Sequence, residues 1–388
     1  MNQTLAQTFG DVPDVPAPGG PVLKPLNLWR PSQFLAWEDP PGNHLLLPAY
    51  VTRGELTTCI GQGGIGKSRL FGLWLPICQI TGRQWCGLKI GGEPQKWLVL
   101  GDENSIARIK SDLEHMLPNL TQEERTKVDE LLLLQAVLNM EDSDLNLGDA
   151  TTQARVALTV EKHAPGAIVA DPLVNFAPGD ISKPGEMKEA IRLLVGTIRR
   201  AAPTAAVVLL HHARTGRQNI LQGVGWDAAN FASGGKTLFA AARCQMNLMP
   251  ASEEDESRLV LSCGKANNCE KFTTRGLIFD RHSYIYSLDT EFDLEDWRCE
   301  VEGRARSGQS VCTVGDVVSA VREGFDTTKA LVEHLADTYG TSERSIYRLI
   351  AKTIRAAGIM QAARGHYTLG KKADKLSPPL LPLRYSQT

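Results

Sequence analysis

Short apolar runs alternate with amphipathic patterns over most of the chain. Strands are predicted where apolar residues follow one another directly, and helices where they recur every three to four positions. The predicted strands of the first part are residues 56–60, 97–100, 167–170 and 206–210. The predicted helices between them are residues 68–80, 105–116, 151–163 and 186–202. This alternation predicts an α/β fold with a mostly parallel sheet covered by helices on both faces.

The later part of the chain has a different pattern. Further strand-type runs at residues 244–249, 258–262, 276–279 and 285–288 predict an antiparallel extension of the sheet. Apolar stripes then predict three helices, and two short strands follow within residues 359–369. Helices followed by a two-stranded wing are the element order of a winged helix-turn-helix.

Proline and glycine positions divide the chain. Nine of the 21 prolines lie in the first 50 residues, so residues 1–25 are predicted to be flexible, and Trp29, Phe34 and Trp37 to pack on a core. The stretch over residues 303–309 is rich in Gly, Ser and Arg, which is typical of a linker. The predicted division is a flexible N-terminus, a core over 26–302, a linker over 303–312, a C-terminal domain over 313–370 and a flexible tail over 371–388.

Composition narrows the class of protein. With 42% hydrophobic and 22% charged residues, the chain of 388 residues is expected to be globular, which excludes disorder, collagen and coiled coil. It has no apolar run of about 18 residues and no Lys or Arg before Lys24, so neither a membrane span nor a secretory signal is expected. Its eight cysteines form no CxxC pair and no zinc-type spacing. We therefore expect a cytoplasmic protein without a membrane partner.

The charge is unevenly distributed. The net charge is -2, but residues 340–388 hold nine Lys/Arg and two Asp/Glu, a balance of +7 that leaves -9 for the rest. On the last predicted helix, the basic residues recur on the face opposite the apolar stripe; they are Arg344, Arg348, Lys352 and Arg355. Such a face binds a nucleic-acid backbone, docks a protein or is simply solvated.

A glycine-rich segment between a predicted strand and a predicted helix matches the P-loop pattern. The segment is Gly61, Gln62, Gly63, Gly64, Ile65, Gly66, Lys67 and Ser68, and Arg69 follows it. In this context backbone N–H groups surround phosphate oxygens, the lysine reaches the terminal phosphates and the serine hydroxyl ligates Mg²⁺. The sequence therefore predicts a site for Mg²⁺ and ATP, with Arg69 included among its residues.

Acids and histidines end the neighbouring predicted strands. Asp171 ends one strand and is the candidate second Mg²⁺ ligand. Glu103, with Asp102 as the less favoured neighbour, is the candidate that polarises the attacking water, although an acid there also caps helices. His211 and His212 end the next strand, where either closes the strand or senses the γ-phosphate, and His212 is the favoured candidate.

The order of these motifs resembles a known family. Beyond the P-loop, the motifs are Asp102-Glu103, Asp171-Pro172, His211-His212, the segment 239–243 and the segment 264–267. Over residues 45–290 this series is similar to the RepA-like hexameric helicases of plasmids and mobile elements, which belong to the RecA/DnaB-type ATPases. The chain departs from the family at residues 233–236, where Ser-Gly-Gly-Lys replaces a common Arg-Gly-Ser-Ser.

The resemblance assigns further roles. It implies that Glu103 activates water, that Arg243 reaches the nucleotide of a neighbouring subunit, and that Lys265 lies near the same interface. It also implies that loops 176–183 and 214–231 face a central channel and hold single-stranded DNA, for which Arg214 and Arg217 are the charges available. From the residues alone, a surface arginine on a short helix is the less favoured alternative for Arg243.

These expectations combine into one function and two alternatives. We expect a RecA-like ATPase core that forms a homo-oligomeric ring and acts as a helicase on single-stranded DNA, in plasmid, phage or mobile-element replication. The C-terminal winged helix is expected to bind duplex DNA or a replication protein. The first alternative is a regulatory DNA-binding ATPase that switches assembly without unwinding DNA. The second, a small-molecule kinase, is less favoured because no phosphoacceptor lid is apparent.

Overall fold

The structure is a computed structural model that describes residues 26–214, 220–252, 255–302, 312–339, 343–355, 360–363, 366–371 and 373. Contacts divide the chain into two units, with the boundary between Asn43 and His44. None of the helices in the described ranges is both long and apolar enough to cross a membrane.

In the described residues of the first unit, 26–43, the structure has one short helix, α1, at Pro31–Leu35. The prediction that three aromatic side chains of this segment pack on a core is wrong: Trp29, Phe34 and Trp37 are 37%, 63% and 52% exposed. Trp29 and Phe34 contact each other, with ring centroids 5.3 Å apart. A helix this short buries none of its residues and presents no continuous apolar face.

The second unit is built on a large sheet. Its strands are β3 Leu56–Gly61, β4 Trp97–Leu100, β5 Leu132–Leu134, β6 Ala167–Ala170, β7 Ala206–His212, β8 Cys244–Pro250, β9 Arg258–Ala266, β10 Arg275–Phe279 and β11 Tyr286–Asp289. Within the described residues their spatial order is β11-β10-β9-β8-β3-β7-β6-β4-β5. Neighbouring strands are parallel along the series β8-β3-β7-β6-β4-β5. Beyond β8, the strands β9, β10 and β11 each pair antiparallel with the strand before them. A separate small ribbon pairs β1 His44–Leu46 with β2 Val51–Thr52.

Helices cover both faces of the sheet, which confirms the predicted α/β class. They are α2 Leu75–Thr81, α3 Ile106–Met116, α4 Gln122–Leu131, α5 Met140–Ser143, α6 Ala150–His163, α7 Leu173–Phe176, α8 Pro184–Ala201, α9 Gly235–Ala241 and α10 Leu294–Glu302. Along β7, Val208 packs in the core under the P-loop helix, whereas Val207 packs in the core under α6 and α8. Alternate residues of this central strand are thus buried on opposite faces.

The C-terminal part has its own small core. Its elements are α11 Val314–Arg322, α12 Thr328–Tyr339, α13 Glu343–Arg355, β12 Met360–Ala363 and β13 His366–Leu369. Val317, Leu331, Ile346 and Tyr367 bring the three helices and the antiparallel hairpin together. These elements lie where the sequence predicts them, and their assignment to a winged helix-turn-helix stays a prediction.

Three sequence predictions for this end lie wholly or partly outside the described residues. Of the predicted linker 303–312, residues 303–311 lie outside the described residues, and of the predicted tail 371–388, residues 372 and 374–388 do. So do the side chains of the basic face on α13, namely Arg344, Arg348, Lys352 and Arg355.

Candidate nucleotide-binding site

The glycine-rich loop follows β3 and leads into a helix, as predicted. Gly64 and Gly66 have φ angles of +77° and +92°, which residues with a Cβ atom rarely adopt. A Cβ at Gly61 would lie 2.9 Å from the Leu248 carbonyl oxygen of β8, so the loop can leave the sheet here only as glycine. The helix after the loop is π-helical over Ser68–Trp74 and continues directly as α2. This strand-loop-helix order directs backbone N–H groups toward a bound phosphate.

Lys67 is buried at the start of this helix. Its side chain is only 6% exposed, and its ammonium donates to the carbonyl oxygen of Gln62 at 2.7 Å and to Nδ1 of His212 at 3.5 Å. Burial lowers the pKa of Lys67, while the charges of Asp171 and Glu103 raise it. The lysine is thus held at the loop with carboxylates close enough to favour its charged form.

Asp171 ends β6 next to the P-loop serine. It is 4% exposed, and burial raises its pKa to about 6, although a hydrogen bond from Ser68 and the charge of Lys67 act in the opposite direction. Gly101 permits this approach of strand ends, because a Cβ there would collide with the Asp171 carbonyl oxygen. Two adjacent oxygen donors, one of them a buried carboxylate, fit a Mg²⁺ ion that takes its other ligands from phosphate and water.

In the described part of the chain, no group of three or more His, Cys, Asp or Glu side chains is arranged to hold a metal ion. All eight cysteines are free thiols.

The two acids after β4 occupy different environments. Asp102 accepts a hydrogen bond from the side-chain amide of Asn175, which follows β6. Glu103 is exposed, and its charge acts on Lys67, Asp171 and His212. Asp102 therefore has a structural partner, whereas the charge of Glu103 acts on Lys67 and Asp171, which together with Ser68 form the nucleotide cluster.

The paired histidines at the end of β7 point to different partners. His211 is 1% exposed, its Nε2 donates to the Ser233 carbonyl oxygen at 2.9 Å, and burial lowers its pKa to about 4. Burial and the positive charge of Lys67 also lower the pKa of His212. Both imidazoles are therefore neutral at pH 7, and His212 is the one that contacts the P-loop lysine.

Arg69 has partners that its sequence position does not reveal. Its Nη2 and Nε lie 2.7 and 3.1 Å from one carboxylate oxygen of Asp112 on α3. The guanidinium also lies over the rings of Tyr284 and Phe279, at 4.5 and 4.9 Å from their centroids. The structure thus places Arg69 beside the P-loop, where the Asp112 carboxylate neutralises its charge and two aromatic rings pack against it.

A cavity that the sequence does not predict lies beside the P-loop, and Arg69 and the aromatic residues near it line one side. The cavity measures about 560 Å³ and extends from the backbone of Gln62–Gly66 to β10, β11 and the end of β8. Tyr286 of β11 donates its hydroxyl to the Gly66 carbonyl oxygen at 3.3 Å. The only sequence signal is the local concentration of aromatic residues at Phe279, Tyr284 and Tyr286.

Arg243 and Lys265 lie at the opposite edge of the sheet. The backbone N–H of Arg243 donates to the Leu56 carbonyl oxygen at 2.8 Å, at the amino end of the strand whose carboxyl end carries the P-loop. At about 3.3 Å per residue, β3 separates the two edges by roughly 16 Å. Arg243 is exposed. The ammonium of Lys265 donates to the Phe239 carbonyl oxygen at 2.7 Å. Burial, and after it the charge of Arg243, lowers the pKa of Lys265. The structure therefore separates Arg243 from the P-loop of its own chain.

The second predicted DNA loop is anchored on strand β8. Buried amides of Gln245 and Asn247 donate to the Ala228 and Gly223 carbonyl oxygens at 2.8 and 2.9 Å. Arg214 is exposed at the start of the loop. Arg217, the other predicted contact, lies outside the described residues.

Comparison with known sequences supports the nucleotide site. The profile of a family described as AAA domain matches residues 22–218, a stretch that contains the P-loop, both candidate carboxylates and the histidine pair. No curated protein matches the chain.

Proposed function

The chain belongs to the AAA domain family, and from that premise we propose that it is an ATP-dependent helicase of the RepA-like type, which forms a ring and moves along single-stranded DNA. One observation carries the proposal: the buried nucleotide cluster lies at one end of β3, and exposed Arg243 lies at the other. A residue so placed can serve a nucleotide only across a subunit boundary. Closed rings of identical subunits provide that boundary at every interface.

The nucleotide cluster supplies the groups that phosphoryl transfer to water requires. Lys67 places a positive charge at the terminal phosphates, and Ser68 with Asp171 would hold Mg²⁺, which when bound neutralises phosphate charge. Glu103 accepts a hydrogen bond from the attacking water and orients it. Arg243 of one subunit stabilises the charge that develops on the nucleotide of its neighbour.

The histidine pair connects this cluster to the predicted DNA loop. His212 contacts Lys67, and its backbone carbonyl accepts a hydrogen bond from the Ser233 N–H at 3.0 Å. His211 binds the carbonyl of the same serine. Ser233 follows the end of the loop, and Gln245 and Asn247 bind backbone carbonyls within it. A displacement of Lys67 would therefore be transmitted to the loop through the hydrogen bonds of His212 and Ser233.

The C-terminal helices and hairpin would serve as a separate binding module. The excess of basic residues over residues 340–388 supports duplex DNA as its ligand, with a replication protein as the second candidate. The rival function remains a regulatory DNA-binding ATPase that changes assembly without unwinding DNA. It uses the same nucleotide cluster, so only a DNA-unwinding measurement separates the two.

The decisive experiment measures ATP hydrolysis and strand displacement together. We expect single-stranded DNA to stimulate hydrolysis, and the protein to displace the annealed strand of a tailed duplex only with Mg²⁺ and ATP. Lys67→Ala should abolish both activities, whereas Lys162→Ala, which removes an exposed lysine of α6, should leave them unchanged. Hydrolysis without displacement on any tailed substrate would favour the regulatory ATPase. More than about a tenth of wild-type turnover in Lys67→Ala would contradict the site itself.

Mass in solution provides the second test. A ring should form or become more stable with Mg²⁺ and ATP, because each nucleotide would be bound between two subunits. A monomer under all nucleotide conditions would contradict the ring and the role of Arg243.

A further inference from the structure

The sheet has an open edge at β5. In the described part of the chain β5 is the terminal strand, and β4 pairs with it in parallel on its inner side. The N–H of Gln135 donates to the Val99 carbonyl oxygen of β4 at 2.9 Å. Because successive residues of a strand direct their backbone groups to opposite neighbours, the N–H and carbonyl of Leu134 are directed to the open side. The edge therefore offers a donor and an acceptor to a further strand.

Cavities lined mostly by apolar surface lie on both faces of this edge. On one face, Ile109 and Leu113 of α3 line a cavity of about 560 Å³, the α3–α4 cavity. On the opposite face, Leu133 and Val156 line a cavity of about 360 Å³, the α6 cavity. Both cavities extend to Leu134 at the strand edge. Leu134 and Leu133 pack against different cores, which places the two cavities on opposite faces of the sheet.

An extended peptide matches this arrangement. Successive side chains of a strand point to opposite faces of its sheet, so neighbouring side chains of an added strand would enter the two cavities. Strand addition of this kind combines main-chain hydrogen bonds with pockets for alternate side chains. Leu138 and Met140, shortly after β5, are 77% and 88% exposed and enlarge the apolar surface beside the edge.

The charges in the α3–α4 cavity specify the peptide further. Lys110 and Glu114 line this cavity but pair with each other at 3.3 Å. Nε of Arg125, which also lines it, is buried and has no hydrogen-bond partner among the described residues. A buried N–H without an acceptor costs free energy, and a carboxylate supplies the strongest acceptor for a guanidinium. The peptide should therefore carry an acidic residue two positions from the apolar side chain that enters this cavity, because those two share a face.

The end of β5 is held in place before any peptide binds. The side chain of Gln135 lines both cavities, and its oxygen accepts from the Gly101 N–H at 3.0 Å. Its amide donates to the Asp142 carbonyl oxygen at 2.6 Å. Since this end of the edge is already ordered, the entropic cost of binding falls mainly on the peptide.

We propose that β5 is a docking site for an extended segment of a partner protein, which adds a strand to the sheet, fills both cavities with neighbouring apolar side chains and pairs a carboxylate with Arg125. Nucleic acid fits this edge poorly, because its phosphates require positive charge and the cavities are mostly apolar. The inference goes beyond the proposed function and holds whether or not the chain unwinds DNA.

The first test uses the full-length protein and a fluorescein-labelled peptide of sequence Ser-Glu-Val-Leu-Val-Glu-Ser. Its Leu and both Glu residues share one face in either strand direction, and its two Val residues share the other. Fluorescence polarisation should show saturable binding with a Kd below about 0.1 mM. The same peptide with N-methyl groups on Leu and on the following Val keeps its side chains but loses main-chain donors, and should bind at least about tenfold more weakly.

Variants of the protein test the carboxylate contact. Arg125→Met keeps an apolar side chain but removes the donors, and should weaken binding of this peptide about tenfold. A peptide with Gln in place of both Glu residues should bind the wild type and Arg125→Met equally, because the contact is already absent. Lys127→Met, at an exposed lysine of α4 outside both cavities, is the matched control and should change neither affinity.

A further variant blocks the edge itself. Ala136→Trp places a ring at the rim of the α3–α4 cavity and should abolish peptide binding, whereas Ala154→Trp, at an exposed alanine of α6 outside both cavities, should not. If Ala136→Trp disturbs the fold, the N-methylated peptide decides, because it leaves the protein unchanged.

Four results would overturn the proposal. They are no saturable binding by the wild type, equal binding of the N-methylated peptide, equal losses of the Glu and Gln peptides in Arg125→Met, and peptide binding unchanged in a folded Ala136→Trp. A single-stranded oligonucleotide that displaces the peptide, and that also binds Ala136→Trp more weakly, would assign the edge to nucleic acid and overturn the protein partner.

Discussion

Nδ1 of His212 lies 3.5 Å from the ammonium Nζ of Lys67, at the carboxyl end of the strand next to the P-loop strand. An ammonium can only donate, so the histidine accepts with a neutral ring. Burial and the lysine charge both lower the pKa of His212, which keeps the ring neutral at pH 7. A phosphate that draws Lys67 toward itself would therefore change the hydrogen bond of His212.

Replacing this histidine should affect turnover more than binding. His212→Gln keeps a polar side chain of similar reach but lacks the ring acceptor, and we expect kcat to fall about tenfold or more with ATP affinity within about threefold. Stimulation of hydrolysis by single-stranded DNA should be lost in the same variant. Steady-state kinetics with and without DNA measure both effects. His282→Gln, at an exposed histidine, is the control, and equal kinetics of the two variants would exclude the sensing role.

Glu103 and Asp102 can be told apart by a pair of isosteric substitutions. Glu103→Gln removes the charge that orients water, so nucleotide should remain bound while the chemical step slows by about 10² or more. Asp102→Asn should have a small effect, since Asp102 is engaged by Asn175. Single-turnover hydrolysis and nucleotide retention on a filter measure the two steps. The reverse result, with Asp102→Asn inactive and Glu103→Gln normal, would move the assignment to Asp102.

Asp171 should destabilise the protein when neither Mg²⁺ nor nucleotide is bound. Its pKa in the folded state is raised to about 6, so the folded chain binds this proton more tightly than the unfolded chain does. The stabilising contribution is present at low pH and is lost as pH rises from about 4 through 6. At pH 8, without metal and nucleotide, Asp171→Asn should therefore be more stable than the wild type by about 1 to 3 kcal/mol.

Thermal and urea unfolding at pH 8 and pH 5 measure this difference. The gain of Asp171→Asn should be larger at pH 8, and addition of Mg²⁺ and ATP should stabilise the wild type but not the variant. Without nucleotide, Mg²⁺ affinity of the wild type should weaken as pH falls through about 6, because protonated Asp171 no longer attracts the metal. Asp129→Asn, at an exposed acid of α4, is the control. A variant that is less stable than the wild type at pH 8 would contradict the argument.

Features that depend on contiguous residues were predictable from the sequence. The P-loop glycines, Lys67 and Asp171 follow apolar strands directly, and parallel strands bring their carboxyl ends to one edge. Their convergence in the structure follows from the strand order β3-β7-β6. The AAA domain match over residues 22–218 adds the family and not the helicase activity.

Features that depend on distant contacts were not predictable. Leu132–Leu134 forms the edge strand β5, but an apolar run directly after α4 has no turn residue to separate it from the helix. Asp112 and Tyr286 contact Arg69 and Gly66 from 43 and 220 positions along the chain, and no local pattern marks such pairs. The packing predicted for Trp29, Phe34 and Trp37 is wrong because aromatic content alone does not specify a partner surface.

The position of Arg243 leads to a prediction about mixed assemblies. Its backbone is hydrogen-bonded to Leu56, at the far end of β3 from the P-loop, so it can act only on the nucleotide of another subunit. Where such an arginine operates, it contributes on the order of 10³ in turnover. Arg243→Ala should therefore be nearly inactive but should still bind ATP. Arg192→Ala, at an exposed arginine of α8, should hydrolyse ATP at the wild-type rate.

Mixing two inactive variants should restore activity if Arg243 acts in trans. Arg243→Ala subunits retain an intact P-loop, and Lys67→Ala subunits retain the arginine. With equal amounts and random assembly, roughly a quarter of the interfaces join an intact P-loop to an intact arginine, and hydrolysis should recover toward that fraction. Each variant alone should stay inactive at the same total concentration, and native mass measurement should verify that mixed rings form. Inactive mixed rings, or normal hydrolysis by Arg243→Ala alone, would show that this arginine does not complete a neighbour's site, and Lys265 at the same edge would then be the residue to test.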